Sequence, residues 1–247
     1  MSTFTGMGGT VNGANTVRSW SVNESEANKE YSASNTQGGT GQAAGIKDWS
    51  GSYTCYGHTP VHMPGDIFTF AGFDGAKIST GTAIVSEIAL AINQEGGDLQ
   101  GLTVTFAGDG ALTHTTGTDA DVSLPDPPSS IGCKIEIDTG AGFVELVDVR
   151  TASLSIKSDL KEYSSSSTGG WKKRKAGRIS ANGSFDFYDQ DVRTAPDIAQ
   201  DAKLRVYVSD TEFWLFHWAR IADGSYEPSP ESGDTVSGSV NWNWTGF

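Results

Sequence analysis

The fold is decided by a phrase that the chain contains twice: residues 44–57 read AGIKDWSGSYTCYG, and residues 176–189 read AGRISANGSFDFYD. Around this phrase, residues 17–57 align without a gap on residues 149–189, and fifteen of the 41 positions are identical. The likeness continues downstream, because EGGDLQGLTVTFAGDG at 95–110 resembles ESGDTVSGSVNWNWTG at 231–246. Each copy is far longer than the repeat of a solenoid, which is about 20 to 50 residues. The sequence therefore predicts a duplicated domain.

The boundary between the copies is predicted from three prolines, Pro125, Pro127 and Pro128, which disfavour helix and hinder strand pairing. We predict a first domain at residues 1–113, a linker at 114–130 and a second domain at 131–247. His114 is assigned to the linker.

An all-β fold is indicated by alternating apolar and polar residues in most segments, for example IGCKIEID at 131–138 and SVNWNW at 239–244. FWLFHW at 213–218 is apolar on both faces and predicts a central or covered strand. TAIVSEIALAIN at 82–93 also favours a strand. One short helix is predicted near Thr194, with Pro196 in its first turn and DIAQDAK at 197–203 following. The expected architecture is a small β-sandwich or open barrel, built twice.

The composition limits the function. The chain has 247 residues, a net charge of −13 and no apolar run long enough to cross a bilayer, so we expect a soluble protein made in a cytoplasm. An acidic chain is poorly suited to general nucleic-acid binding, which depends on Lys and Arg. Two cysteines, Cys55 and Cys133, are too few for a disulfide framework, and we expect reduced thiols.

After the second strand of each copy we predict a long polar loop, at residues 26–45 and 158–177, and loops of this length are often functional. Both contain the sequence KEYS, and only the second contains the cationic run WKKRK. The candidate interaction residues in these loops are Lys29, Glu30, Tyr31, Lys161, Glu162, Tyr163, Trp171, Lys172, Lys173, Arg174 and Lys175.

The strand, the long Gly/Ser/Thr loop and the phrase AGIKDWSGSYTCYG together resemble the tail-tube proteins, the major tail proteins of long-tailed bacteriophages. The second copy departs from that pattern at RISANGSF but keeps the Gly-Ser-aromatic strand. The resemblance implies a tail-tube-like β-sandwich in each copy, with rings whose inner sheets join into one barrel and which stack into a tube that conducts phage DNA. Two domains per chain imply homotrimeric rings with pseudo-sixfold symmetry.

The resemblance also implies partners and a location. The chain would bind copies of itself, a tape-measure protein and tail-end proteins, and the DNA would pass without specific binding. No membrane partner is implied. The protein would reside in the virion tail after assembly in the host cytoplasm, and the candidate loops would join adjacent rings. We further expect the cationic loop to dock near Glu24 and Glu26 of a neighbouring ring.

The sequence also allows other functions. Seven tryptophans allow a duplicated carbohydrate-binding module, although their apolar neighbours favour core or subunit contacts. Another virion ring, in the distal tail or at the head, remains an alternative. His58, His62 and Asp66 have a spacing that zinc ligands can use, but Pro60 and Pro64 interrupt it. We expect no enzyme activity, no metal and no cofactor, and a structural role for His217.

Overall fold

The computed structural model describes residues 2–6, 17–32, 39–56, 60–74, 76–93, 101–117, 134–146, 149–188, 201–208, 212–227 and 237–244. These ranges contain thirteen β-strands, one 3-10 turn at Ser166–Thr168 and no α-helix, so the all-β prediction is confirmed. Most of the predicted helix lies in residues 189–200, outside the described residues. Its last three residues, Asp201 to Lys203, begin a strand instead.

The strands of the first copy are β1 (Ser2–Gly6), β2 (Val17–Tyr31), β3 (Gly41–Tyr56), β4 (Ile67–Phe73), β5 (Lys77–Asn93) and β6 (Gly101–Thr116). Those of the second copy are β7 (Ile135–Asp138), β8 (Val144–Leu146), β9 (Val149–Tyr163), β10 (Lys173–Tyr188), β11 (Asp201–Tyr207), β12 (Phe213–Glu227) and β13 (Ser237–Trp244). The predicted strands at 82–93 and 213–218 fall in β5 and β12, and β12 is central, between β11 and β13.

The duplication extends to the strand pairing. The order is β2-β3-β6-β5-β4 in the first copy and β9-β10-β13-β12-β11 in the second. Even the irregularities repeat: the ladder of β5 with β6 skips Ser86, and the ladder of β12 with β13 skips Ala222. These two residues differ by the same offset of 136 that aligns residues 95–110 with residues 231–246. The boundaries near residues 113 and 130 stay a prediction, although β6 runs to Thr116 and so includes His114 in a strand.

The two copies are joined in one continuous antiparallel sheet, because β5 of the first copy pairs with β9 of the second. The register places Glu87 opposite Lys157 and Asn93 opposite Thr151. On the same edge of β5, residues Ile78 to Ile84 pair with β4. A single hydrophobic cluster accordingly runs through both copies, and it includes Trp49, Phe106 and Trp242.

The repeated Gly-Ser pair has a packing reason in both copies. A side chain at Gly51 would collide with the carbonyl oxygen of Ser21 and the ring of Phe106 on β6. In the second copy, a side chain at Gly183 would meet the carbonyl oxygen of Ser153 and the ring of Trp242 on β13. An aromatic ring thus lies over each glycine, and only a residue without Cβ allows that approach.

The serines of the repeat also form equivalent contacts. Ser21 and Ser52 lie opposite each other with hydroxyl oxygens 3.3 Å apart, and Ser153 and Ser184 lie opposite each other at 2.7 Å. All four belong to identical pairs in the sequence alignment. The repeated phrase therefore corresponds to the same cross-strand packing in each copy.

Replacing Gly51 or Gly183 by Ala is expected to lower the free energy of unfolding by about 1–3 kcal/mol each, because the added methyl group overpacks a closed site. Gly101→Ala is the matched control, since Gly101 also lies in a strand but has open space at its Cβ position. Chemical denaturation of the three variants measures the difference. Equal losses in all three would contradict this account of the repeat.

The two predicted loops are corrected by the structure. Residues 26–31 continue strand β2 and residues 41–45 belong to β3, so the first segment is the end of a long β-hairpin. Residues 158–163 and 173–177 likewise belong to β9 and β10. The error has a physical cause: most residues of these hairpin ends are exposed, and the buried ones in the second, Ser158 and Arg174, are polar, so the segments lack the apolar alternation by which strands are recognised.

Candidate assembly interface

The candidate residues lie at the ends of the two hairpins. Lys29, Glu30 and Tyr31 end β2, whereas Lys161, Glu162 and Tyr163 end β9 at the equivalent register. The cationic run occupies the tip of the second hairpin and the start of β10. Its turn places Gly169 and Gly170 at positive φ, a conformation that favours glycine.

The tip of the second hairpin contacts the first copy through backbone hydrogen bonds. The N–H of Lys47 donates to the carbonyl of Gly170 at 2.8 Å, and the N–H of Lys172 donates to the carbonyl of Lys47 at 3.0 Å. The N–H of Gly110 on β6 donates to the carbonyl of Lys172 at 3.0 Å. The hairpin of one copy therefore extends the secondary structure of the other.

Arg174 is at the centre of this contact, with its side chain only 4% exposed. Its Nη2 donates to Asp48 and to Glu162, each at 2.8 Å, and its Nη1 donates to the carbonyl of Gly108. The backbone N–H of Arg174 donates to Asp109 at 2.8 Å. Burial opposes the charge on Arg174, but the hydrogen bonds with Asp48 and Glu162 outweigh it and raise the pKa of the guanidinium.

The neighbouring lysines complete a network across the two copies. Lys172 Nζ lies 2.9 Å from Glu162 and 3.1 Å from Asp48, and these hydrogen bonds raise its pKa. Lys173 Nζ donates to the carbonyl of Asp109 at 3.1 Å. Three of the four cations of the run thus hold the second copy to the first, and we call this arrangement the charged seam.

The other candidate residues are distributed differently. Trp171 is partly buried, and Lys47 Nζ lies 5.7 Å from its ring centroid. Tyr31 and Tyr163 are about half exposed, and Lys29, Lys161 and Lys175 are exposed. Glu24, the expected docking point for the cationic run, instead accepts from His114 Nε2 at 3.2 Å. The inter-ring role of the hairpins stays a prediction.

The first copy carries no equivalent charges at its own hairpin tip. Thr40, Gly41, Gln42 and Ala43 align with Lys172, Lys173, Arg174 and Lys175, and Gly39 aligns with Trp171. On the surface that receives the tip, Ser180 of the second copy aligns with Asp48 of the first, and Trp244 aligns with Gly108. The second copy thus lacks the acidic acceptors at the place where the first copy has them.

An apolar groove of about 540 Å³ lies at that place in the second copy. Among the described residues, its lining is apolar except for His217 and includes Ile179, Trp214, Trp218 and Trp244. Ala181 lies in the groove where the aligned residue of the first copy, Trp49, fills the core. The groove is therefore a consequence of the Trp-to-Ala difference between the two phrases.

The structure shows the surroundings of two histidines named in the sequence analysis, His62 and His217. His62 stacks on Phe68 with ring centroids 4.9 Å apart, and burial lowers its pKa. His217 is exposed on β12 and lines the groove, and its predicted structural role stays a prediction. His58 and Cys133 lie outside the described residues, and Cys55 is buried, with its Sγ donating to the carbonyl of Leu102 at 3.7 Å. Among the residues described, no group of three potential metal ligands is found.

Sequence reasoning found the cations but missed their acceptors. Asp48 and Asp109 lie in the first copy at positions where the second copy has Ser180 and Thr245. These acidic residues of the first copy, together with the cations at the second hairpin tip, indicate a charged contact between the copies. The alignment of Trp49 with Ala181 likewise indicates that the second copy has space where the first copy has a tryptophan.

Acid is expected to weaken the charged seam. Hydrogen bonds from Lys172 and Arg174 lower the pKa of Glu162 below its usual 4.5, so Glu162 contributes stability above that pH. This contribution is lost as the pH falls through the lowered value, when the carboxylate protonates. Thermal unfolding between pH 7 and pH 3 measures it, with Glu162→Gln as the comparison. Parallel pH profiles for the two proteins would contradict the role of Glu162.

Comparisons with known proteins identify no family. No protein-family profile matches the chain, and no curated protein matches it. Among solved structures, a chain from the tail of an empty GTA particle with C6 symmetry aligns with 21% identity and a TM-score of 0.39. The alignment covers 47% of this chain and 92% of the other. A likeness at that TM-score establishes neither a shared fold nor a shared function.

No helix in the described part of the chain has the length and apolar character needed to span a membrane.

Proposed function

We propose that this protein is a non-enzymatic structural component of a bacteriophage tail, and that it forms rings that stack into the tail tube. The observation that carries the proposal is the junction of β5 with β9, which joins two equivalent domains edge to edge in one sheet. A sheet that grows by adding equivalent domains at its edge leaves open edges until the series closes into a ring.

Three chains with two domains each would close a pseudo-sixfold ring. The motif resemblance of AGIKDWSGSYTCYG to tail-tube proteins supports this number and the stacking of rings into a tube. The net charge of −13 agrees with a channel through which DNA passes, because a lumen that attracted phosphates would retain the DNA. In this proposal the other partners are a tape-measure protein and tail-end proteins, and the mature location is the virion.

A carbohydrate-binding module is the second candidate, since Trp214, Trp218 and Trp244 line the apolar groove. Aromatic rings can hold a sugar, but its hydroxyl groups also require hydrogen-bonding partners. In the described part of the lining, His217 is the one polar residue, whereas Trp20, Trp49 and Trp242 are buried in the core. The described lining of the groove therefore offers few hydrogen-bonding partners to the hydroxyl groups of a sugar.

Size-exclusion chromatography combined with negative-stain electron microscopy tests the proposal. Rings with six similar lobes, or tubes built from them, are the expected particles as the protein concentration is raised. Monomers at every concentration would overturn the ring function, and monomers that retain a glycan would favour the second candidate. Rings that never stack would favour another virion ring, in the distal tail or at the head.

A further inference from the structure

The junction of β5 with β9 has an unused counterpart at the other end of the chain. β12 is equivalent to β5, and its residues Phe213 to Arg220 pair with β11 as Ile78 to Ile84 of β5 pair with β4. The later residues of β5, Glu87 to Asn93, pair with β9. No described strand pairs with the corresponding edge of β12, at residues 223–227. Among the described strands, this edge therefore has no partner equivalent to the one that β5 has in β9.

The strand equivalent to β9 is β2, and its corresponding edge is covered by the short strand β1. Phe4 lies opposite Val22, and Ser2 lies opposite Glu24. In the second copy the corresponding residues of β9, Leu154 and Ile156, pair instead with β5. The edge of β2 that would receive another copy is therefore paired with β1 in the single chain.

We propose that β12 of one chain adds to β2 of a second copy in the register of the internal junction, and that β1 leaves β2 to allow it. The proposal rests on the ring function and specifies its seam between chains. In the internal junction, Ala89 lies opposite Ser155 and Glu87 lies opposite Lys157. β12 follows β5 by 136 residues and β9 follows β2 by 132. The same register therefore places Ser225 opposite Asn23 of the other copy, and Asp223 opposite Ser25.

The side chains of the internal junction have counterparts at this seam. Glu87 accepts a hydrogen bond from Ser155 at 2.7 Å and lies 3.3 Å from Lys157. Asp223 is the counterpart of Glu87, and Asn23, the counterpart of Ser155, again supplies a donor. Antiparallel addition also satisfies the backbone groups of both edges, which is the energetic reason that open edges find partners.

The hairpin that comes with β2 fits the apolar groove. Inside the chain, the tip of the β9–β10 hairpin lies on Lys47 and Gly108 of the first copy. The aligned residues of the second copy, Ile179 and Trp244, line the groove. The β2–β3 hairpin of the next chain would arrive there with the uncharged tip described above. Its lack of charge matches a surface without acidic acceptors, because an unpaired charge on an apolar surface is costly.

The second copy also indicates an alternative pairing partner for β1. The first strand of that copy, β7, does not pair with β9, and it pairs with β11 from Ile135 to Asp138. The strand equivalent to β11 is β4, which pairs with β5 on one edge and with no described strand on the other. The free edge of β4 can therefore receive β1. The exchange adds strand pairing, because β1 would gain a partner in β4 while residues 223–227 of β12, which pair with no described strand on this edge, would gain one in β2.

Cysteine pairs test the register of the seam. Asn23→Cys combined with Ser225→Cys is expected to give covalent trimers after oxidation of assembled protein. Asn23→Cys combined with Asp223→Cys is the shifted control, because residues two positions out of register are too far apart for a disulfide. The unaltered protein measures any background from Cys55 and Cys133. Negative-stain images of the same samples report ring formation separately.

A second pair tests the departure of β1. Thr3→Cys with Asn23→Cys bridges β1 to β2, since these residues lie opposite each other. The oxidised protein is expected to stay monomeric, and reduction is expected to restore assembly. Equal assembly of the oxidised and reduced forms would overturn the displacement of β1. Rings without covalent trimers in the first pair would overturn the seam and leave the ring function standing, whereas absence of rings in the unaltered protein would overturn the ring function.

Discussion

Replacing Trp49 by Ala is expected to lower the free energy of unfolding by about 3–5 kcal/mol, the range for removing a buried large aromatic side chain. Trp49 is 1% exposed and packs against Phe70 and Phe106, with ring centroids 6.2 and 6.0 Å away. Its indole N–H donates to the carbonyl of Gly110 at 2.8 Å, and the variant loses that hydrogen bond too. Urea denaturation followed by circular dichroism measures the loss.

Trp218→Ala is the matched control for Trp49→Ala. Trp218 belongs to the same residue type but is half exposed at the rim of the groove, so its removal leaves no closed cavity. We expect a loss below about 1 kcal/mol in the isolated chain, because surface substitutions have small effects. A comparable loss in both variants would contradict the assignment of Trp49 as the residue that fills the space left open in the second copy.

Replacing Arg174 by Met is expected to cost about 3 kcal/mol, since removal of one partner from a buried ion pair leaves the other charges uncompensated. The estimate is at the lower end of the usual range because Asp48 and Glu162 keep side-chain exposures of 21% and 47%. Met retains the apolar stem, so the variant isolates the guanidinium. The loss is measured by chemical denaturation at pH 7 and low salt.

Lys175→Met controls for the removal of a positive charge from the same strand. Lys175 is exposed, and the described residues offer it no ion pair. We therefore expect a change within about 0.5 kcal/mol, as for other surface positions. If Arg174→Met were as mild as this control, the charged seam would not be what holds the second hairpin to the first copy.

The charged seam and the groove give the duplication a structural meaning. The copies share the strand order and the packing of Gly51 and Gly183, which are internal to each domain. They differ at the surfaces where one domain meets the next. In the proposed ring, the charged seam inside each chain would alternate with a contact between the uncharged β2–β3 tip and the apolar groove of the next chain, so the true symmetry would be threefold.

Much of the fold was accessible from the sequence because its signals are local. The alternation in SVNWNW and in TAIVSEIALAIN predicts strands, and the repeat predicts equivalent strand order in the two copies. The polar hairpin ends were misassigned as loops, since their strand character depends on pairing across the hairpin and not on burial. Glu162 lies directly opposite Arg174, for example, and that pairing helps to hold the segment extended.

The duplication and the all-β class follow from the amino-acid sequence alone, because they depend on periodicity and on identity between the copies. Which strand edges meet is set by the tertiary structure. That β5 pairs with β9, that β1 covers β2, and that Arg174 reaches Asp48 are contacts between residues far apart in the chain. Backbone edges carry the same donors and acceptors whatever their side chains, so a strand's partner is set by the geometry of the whole sheet.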